Sequence, residues 1–212
     1  MTIRSSYSEN VDEQNPRPGR LSLVDAAERL IAEEGPAVSL RQVVAAAGQR
    51  NSSAIRYHFG TREQLVGAVV DARQSVFEPK RLERLALLQA AGEYTARGLI
   101  RALLEPVFEH QRGASPSYHA RFMEKIRDYP GVELVRREDW IATGLIMSQL
   151  SRHAAPVPAS QQATRRRGLI SVVFALLADL ERAEHRTPAA RNAAEHATVD
   201  MVLGVVHSGS NA

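Results

Sequence analysis

Two short patterns constrain this chain more than any other feature: Ser39-x-x-Gln42 and Thr61-x-x-Gln64, each placed directly ahead of an apolar helical stripe. In such a box the hydroxyl accepts from the amide three residues on. The glutamine reaches back to the first amide, and two donors otherwise orphaned at a helix start are satisfied. A helix therefore begins at each point, and whatever lies between them is short. Leu40, Val43, Val44 and Ala47 supply the apolar face after the first box, and Leu65, Ala68, Val69, Ala72 and Val76 the face after the second. Gly48 suits the end of the former helix, because glycine tolerates left-handed backbone. Upstream, Leu23, Ala26, Ala27, Leu30 and Ile31 recur at helical spacing. The spacing predicts a helix capped by Ser22, with Asp25 in its first turn, and stopped at Glu33-Glu34-Gly35-Pro36. Pro79 is expected to end the helix that Thr61 opens.

Charge along this unit is uneven. Between Gly35 and Arg62 stand Arg41, Arg50, Arg56 and Arg62 with no acid among them, whereas Asp25, Glu28, Glu33, Glu34, Glu63 and Asp71 lie on the flanking helices. The formal net charge of +3 is mild, so the distribution carries the information. A short helix, a glycine-containing turn and a second short helix form the unit that lays a recognition helix in the major groove of DNA. Arginine suits that task, since its fork donates paired hydrogen bonds to phosphates and guanine edges. Gln49, Asn51, Ser52 and Ser53 add short polar groups at the same place, and Tyr57 and His58 can reach phosphate oxygens. For Tyr57 the alternative is core packing; for His58 it is an ordinary surface position.

The remainder is read as longer helices divided at Gly113 to Pro116, Pro130-Gly131, Ala155 to Ser160 and Thr187-Pro188. A composition 44% hydrophobic and only 5% aromatic, rich in Ala, Leu, Arg and Glu, favours a packed all-α protein. Residues 1–20 read as a flexible arm, 21–78 as a helix-turn-helix head with its connecting fourth helix, 79–208 as a larger helical body, and 209–212 as a flexible end. Arg17 and Arg20 fall in the arm, where a minor-groove contact is one option. Absence of cysteine excludes disulfides, thiolate catalysis and zinc–thiolate sites. The seven histidines show no metal-ligand spacing, and no cofactor or metal is expected. No apolar run reaches the roughly 18 residues that span a membrane, and the first twenty residues lack the apolar core of a secretion signal, so a cytoplasmic location is expected.

The ordered set A-A-E-R-L-I-A-E-E-G, S-L-R-Q-V-V-A-A-A-G and Y-H-F-G-T-R-E-Q-L, followed by an apolar helix, resembles the N-terminal domain of TetR-type regulators across Leu21 to Phe77. The stretch from Gly48 to Phe59 is one residue longer than the common family pattern, and Arg62 stands where a lysine is frequent. The resemblance implies DNA contacts from Ser39, Arg41, Tyr57, His58 and Arg62, with Phe59 anchoring the recognition helix; Gln49, Arg50, Asn51, Ser52, Ser53 and Arg56 are assigned to DNA by their own polarity and charge at the same place. It also implies a body holding a ligand pocket and a dimer interface. For the pocket, Phe108, Tyr118, Arg121, Phe122 and Trp140 are the candidates. For the interface, Leu169 to Leu180 is apolar nearly all round, and a helix apolar on every side must be buried on every side. Leu169, Val173, Leu176, Leu177 and Leu180, with Met201 and Val205 of the last helix, would build an intersubunit four-helix bundle; an intramolecular core is the alternative.

Three functions follow. The first is a homodimeric repressor bound to a palindromic double-stranded operator and released by a small apolar or amphipathic effector. The second is an architectural DNA-binding protein of weak specificity. The third is an all-helical enzyme using groups such as His119 and Glu124; no nucleophile elbow, phosphate loop or metal motif supports it, and the chain is expected not to be an enzyme.

Overall fold

The computed structural model describes residues 18–51, 53–113, 116–130, 140–154, 156–184 and 187–208. Among these the chain is helical, with no strand: α1 (Pro18–Glu34), α2 (Leu40–Ala46), α3 (Ala54–Phe59), α4 (Arg62–Ala91), α5 (Ala96–Gln111), α6 (His119–Ile126), α7 (Ile141–His153), α8 (Ala159–Arg182) and α9 (Pro188–His207).

The local signals in the head behave as the sequence predicts. Ser39 Oγ accepts from Gln42 N at 3.2 Å while Ser39 N donates to Gln42 Oε1 at 2.9 Å, and Thr61 and Gln64 repeat the exchange. Gly48 has φ 68°, and Gln49 N bonds back to Val44 O at 3.0 Å, closing α2 with a left-handed residue. Gly35 (φ 92°) ends α1.

Two boundaries differ from expectation. Helix α1 begins at Pro18, so Ser22 lies inside it and Asp25 is not in its first turn; proline's fixed φ suits a first helical position. Helix α4 runs through Pro79 to Ala91. The ring is exposed, while Phe77, Arg81 and Leu85 on the other side are buried. Burying one large apolar side chain contributes about 1.5–3 kcal/mol, so Phe77 and Leu85 together offset the ~3 kcal/mol cost of an interior proline. The helix stops instead at Gly92, which adopts φ 69°.

The described residues form two apolar cores, with α4 contributing to both. The first is built by α1, α2, α3 and the N-terminal half of α4, around Leu23, Ala27, Val43, Ile55, Leu65 and Val69. Phe122, Met123 and Ile126 of α6 close it, so a helix far along the chain completes the head. The second gathers Phe77 and Leu85 of α4 with α5, α7, α8 and α9, around Leu99, Ile100, Phe108, Ile146, Leu177 and Val202.

Neither α6 nor α7 carries a side-chain cap of its own. Distant carboxylates fill both positions. Glu181 of α8 accepts from Ala120 N (3.2 Å), Arg121 N (3.0 Å) and Ser117 Oγ (2.6 Å) at the start of α6. Glu78 of α4 accepts from Ala142 N (2.9 Å) and Thr143 N (3.2 Å) at the start of α7. An anion at a helix start satisfies orphan amides and complements the helix dipole. Each cap also ties two elements of the body together.

Candidate nucleic-acid interface

Helix α3 is short, and its packing fixes what it shows to solvent. Ile55 and Phe59, one turn apart, are buried against α4, while Arg56 and Tyr57 project outward, Tyr57 with 71% of its surface exposed. Asn51 Oδ1 accepts from Ser53 N (2.9 Å) and Ser53 Oγ (2.7 Å), a side-chain turn that delivers the chain into α3. Tyr57 and His58 meet edge to face at 4.9 Å, and the His58 and Phe59 rings stand 6.1 Å apart.

Arg41, Arg50 and Arg56 are exposed and pair with no carboxylate among the described residues. Ser39, Asn51 and Ser53 are also exposed, and Gln49 is half-buried with its amide beside Gly19. Ser52 lies outside the described residues. Such a surface, with arginines unpaired beside a packed helix-turn-helix, can draw in a phosphate backbone and offer side chains to base edges.

Arg62 behaves differently from its neighbours. Its Nη2 donates to the carbonyl oxygens of Pro36 and Val38, so the guanidinium fastens the start of α4 to the loop between α1 and α2.

Behind the interface lies a buried ionic cluster that no local pattern announces. Arg73 of α4 donates to both oxygens of Glu28 in α1 (Nε at 2.9 and 3.0 Å) and to Asp25 at 3.1 Å. His119 of α6 brings Nδ1 within 3.4 Å of Glu28 Oε1; that nitrogen is buried and makes no hydrogen bond. Burial alone would raise the Glu28 pKa, but the Arg73 hydrogen bonds and the nearby imidazole outweigh it and hold the carboxyl down at about 2. Phe77 packs edge-on against both His119 (5.1 Å) and His110 (5.6 Å), and burial pushes the His110 imidazole down. The cluster joins α1, α4 and α6, the three elements that set the head on the body.

Residues 23–69 match the family described as bacterial regulatory proteins, tetR family. The match covers the helix-turn-helix head, and over that segment the chain is similar to the tetR family. It is similar to the HTH-type transcriptional repressor Rv3405c and the HTH-type transcriptional regulator MT3513 of Mycobacterium tuberculosis, and to the HTH-type transcriptional regulator Mb3439c of Mycobacterium bovis. Each is 44% identical over 50 residues, which is 24% of this chain and 27% of the relative. The similarity thus spans about a quarter of either protein.

The body residues singled out from the sequence are dispersed. Phe122 is fully buried in the core shared with α1, and the half-buried Trp140 packs against that same core. Arg121 stacks over Tyr118 (5.1 Å) and pairs with Glu181 at 3.2 Å. Phe108 lies at the base of a cleft of about 230 Å³ between α5 and α9, whose rim includes Arg101, Glu105, Arg112 and Glu195. Arg112 pairs there with Glu105 (2.7 Å) and Glu195 (2.8 Å). In α8 only one side is covered: Val173, Leu177 and Leu180 are buried, whereas Leu169 and Leu176 are half-buried. In α9, Met201 is 49% exposed and Val205 half-buried. No helix among the described residues is long and apolar enough to cross a membrane.

Proposed function

We propose that this chain is a DNA-binding transcriptional regulator whose helix-turn-helix reads a double-stranded operator. The observation that carries the proposal is the set Arg41, Arg50 and Arg56, exposed around the packed helix α3 and without acid partners among the described residues. Arg41, Arg56, Tyr57 and His58 are assigned to phosphates and positioning; Gln49, Arg50, Asn51 and Ser53, near the start of α3, to base edges. Ser39, at the start of α2, offers a further phosphate contact. The head is taken to span residues 21–78 and the body 79–208.

The protein acts as a homodimer. The half-covered apolar side of α8 and the exposed Met201 of α9 support this, because pairing with the same helices of a second copy would bury them. Two heads then meet half-sites about 34–36 Å apart, which makes the operator approximately palindromic. A relative named as a repressor supports repression as the mode of action. Release follows when a small apolar or amphipathic effector binds the body more tightly in a form whose heads no longer match that spacing. The Glu181–α6–His119–Glu28–Arg73 series supports a mechanical connection, since it links α8 to the head through buried polar contacts.

Selection of bound sequences from random duplex DNA, followed by salt-dependent affinity for the winner, tests the reading. A palindromic winner with a steep salt slope is expected. Tight binding without a preferred sequence would instead favour the architectural alternative.

A further inference from the structure

Arg20 belongs to a helix rather than to a free arm, and α1 holds it against the recognition unit. The first turn of α1 touches that unit at both ends. At one end Gly19 abuts the turn between α2 and α3: a Cβ there would stand 3.0 Å from Gln49 Nε2. At the other, the Arg20 guanidinium carbon lies 5.0 Å from the centroid of the Phe59 ring at the end of α3. His58 and Tyr57 continue outward from Phe59 as a series of rings. Arg20 thus sits beside Phe59 at the C-terminal end of α3, itself half-buried and not sealed in the core.

Among the described residues Arg20 pairs with no carboxylate, and the acids of its own helix are engaged elsewhere. Asp25 and Glu28 hold Arg73, Glu33 pairs with Arg29, and Glu34 accepts from Gln42. Stacking uses only the flat face of a guanidinium, and its N–H groups point out along the edge. A guanidinium oriented by a ring in this way meets an anionic oxygen with less ordering cost than a free side chain.

We propose that Arg20 is a phosphate-binding residue of the DNA interface, held in position by Phe59, and that it supplies the contact the sequence assigns to Arg62. The proposal rests on the DNA-binding reading above. It places a phosphate against the junction of α1 and α3, where a cation would fix the angle at which the recognition helix enters the groove.

The test uses the full chain and the duplex recovered by selection, with affinity measured across a salt series. Arg20→Gln should weaken binding about tenfold and lower the magnitude of the log–log salt slope by about 0.9 per subunit, without changing the selected sequence. Arg20→Lys keeps the charge and loses the flat stack, so it should retain the wild-type slope with a smaller loss of affinity. An unchanged slope in Arg20→Gln overturns the proposal. So does a weaker affinity at constant slope, which would mark Arg20 as a purely structural prop for Phe59. If the wild-type chain binds no duplex at any salt concentration, the DNA-binding reading itself fails, and the proposal fails with it.

Discussion

Replacing Glu28 by glutamine removes a buried carboxylate of the head that holds Arg73. Its side chain is 2% exposed, and its pKa falls from 4.5 to about 2 in the folded protein. A drop of about 2.5 units corresponds, at 1.36 kcal/mol per unit, to about 3 kcal/mol of stability linked to the ionised form. The sign follows from the direction of the shift. A depressed carboxylate pKa means that the contribution is complete above pH 4.5 and disappears as pH falls through the folded value near 2. Chemical unfolding of the wild type and Glu28→Gln, at fixed protein concentration and at steps from pH 7 to pH 2, measures it. At pH 7 the variant should be less stable by about 3 kcal/mol, because the half-buried Arg73 loses its buried carboxylate partner to a neutral amide. Between about pH 4.5 and pH 2 the two curves should converge, the wild type losing up to about 1.4 kcal/mol per pH unit more than the variant. Curves that stay parallel across that window would refute the reasoning, since Glu28 would then carry no proton-linked stability.

Three further outcomes follow from the geometry. Arg62→Ala removes the tie to the Pro36 and Val38 carbonyls, so stability should fall by about 1–3 kcal/mol while the salt slope of DNA binding stays unchanged; a flatter slope with unaltered stability would return Arg62 to the phosphates. Gly48→Val puts a β-branched residue at φ 68°, with no steric neighbour to complicate the reading. It should cost at least about 1–2 kcal/mol in thermal unfolding, and an unaltered midpoint would show that α2 ends without a left-handed residue. Met201→Glu adds a charge to a position 49% exposed in the single chain. Sedimentation should then show a shift toward monomer with the helical content intact, whereas an unchanged dimer would place the interface elsewhere.

Much of the head is legible in the sequence because its signals are local. A capping box closes over three residues, and a left-handed glycine ends a helix through bonds spanning five or so, so Ser39, Thr61, Gly35 and Gly48 mark their boundaries without outside help. The breaks read at Gly113, Pro130 and Pro156 fall between helices, and Pro188 opens α9. The acid-free basic stretch is legible too, since charge composition needs no contact map.

Tertiary structure decided what depends on partners distant in the chain. Pro79 is a helix stop by propensity and a helix interior in fact, because Phe77 and Leu85 bury enough surface to hold α4 together. The starts of α6 and α7 have no cap within reach in sequence; Glu181 and Glu78 arrive from elements some sixty residues away. Among the arginines, a shared charge does not mean a shared role: Arg62 turns inward to carbonyl oxygens, while Arg20 lies over an aromatic ring. Propensity and capping are properties of a few consecutive residues and can be read along the chain. Which side chain a buried charge or an orphan amide finds is set by how the helices pack, and the chain states that only once it has folded.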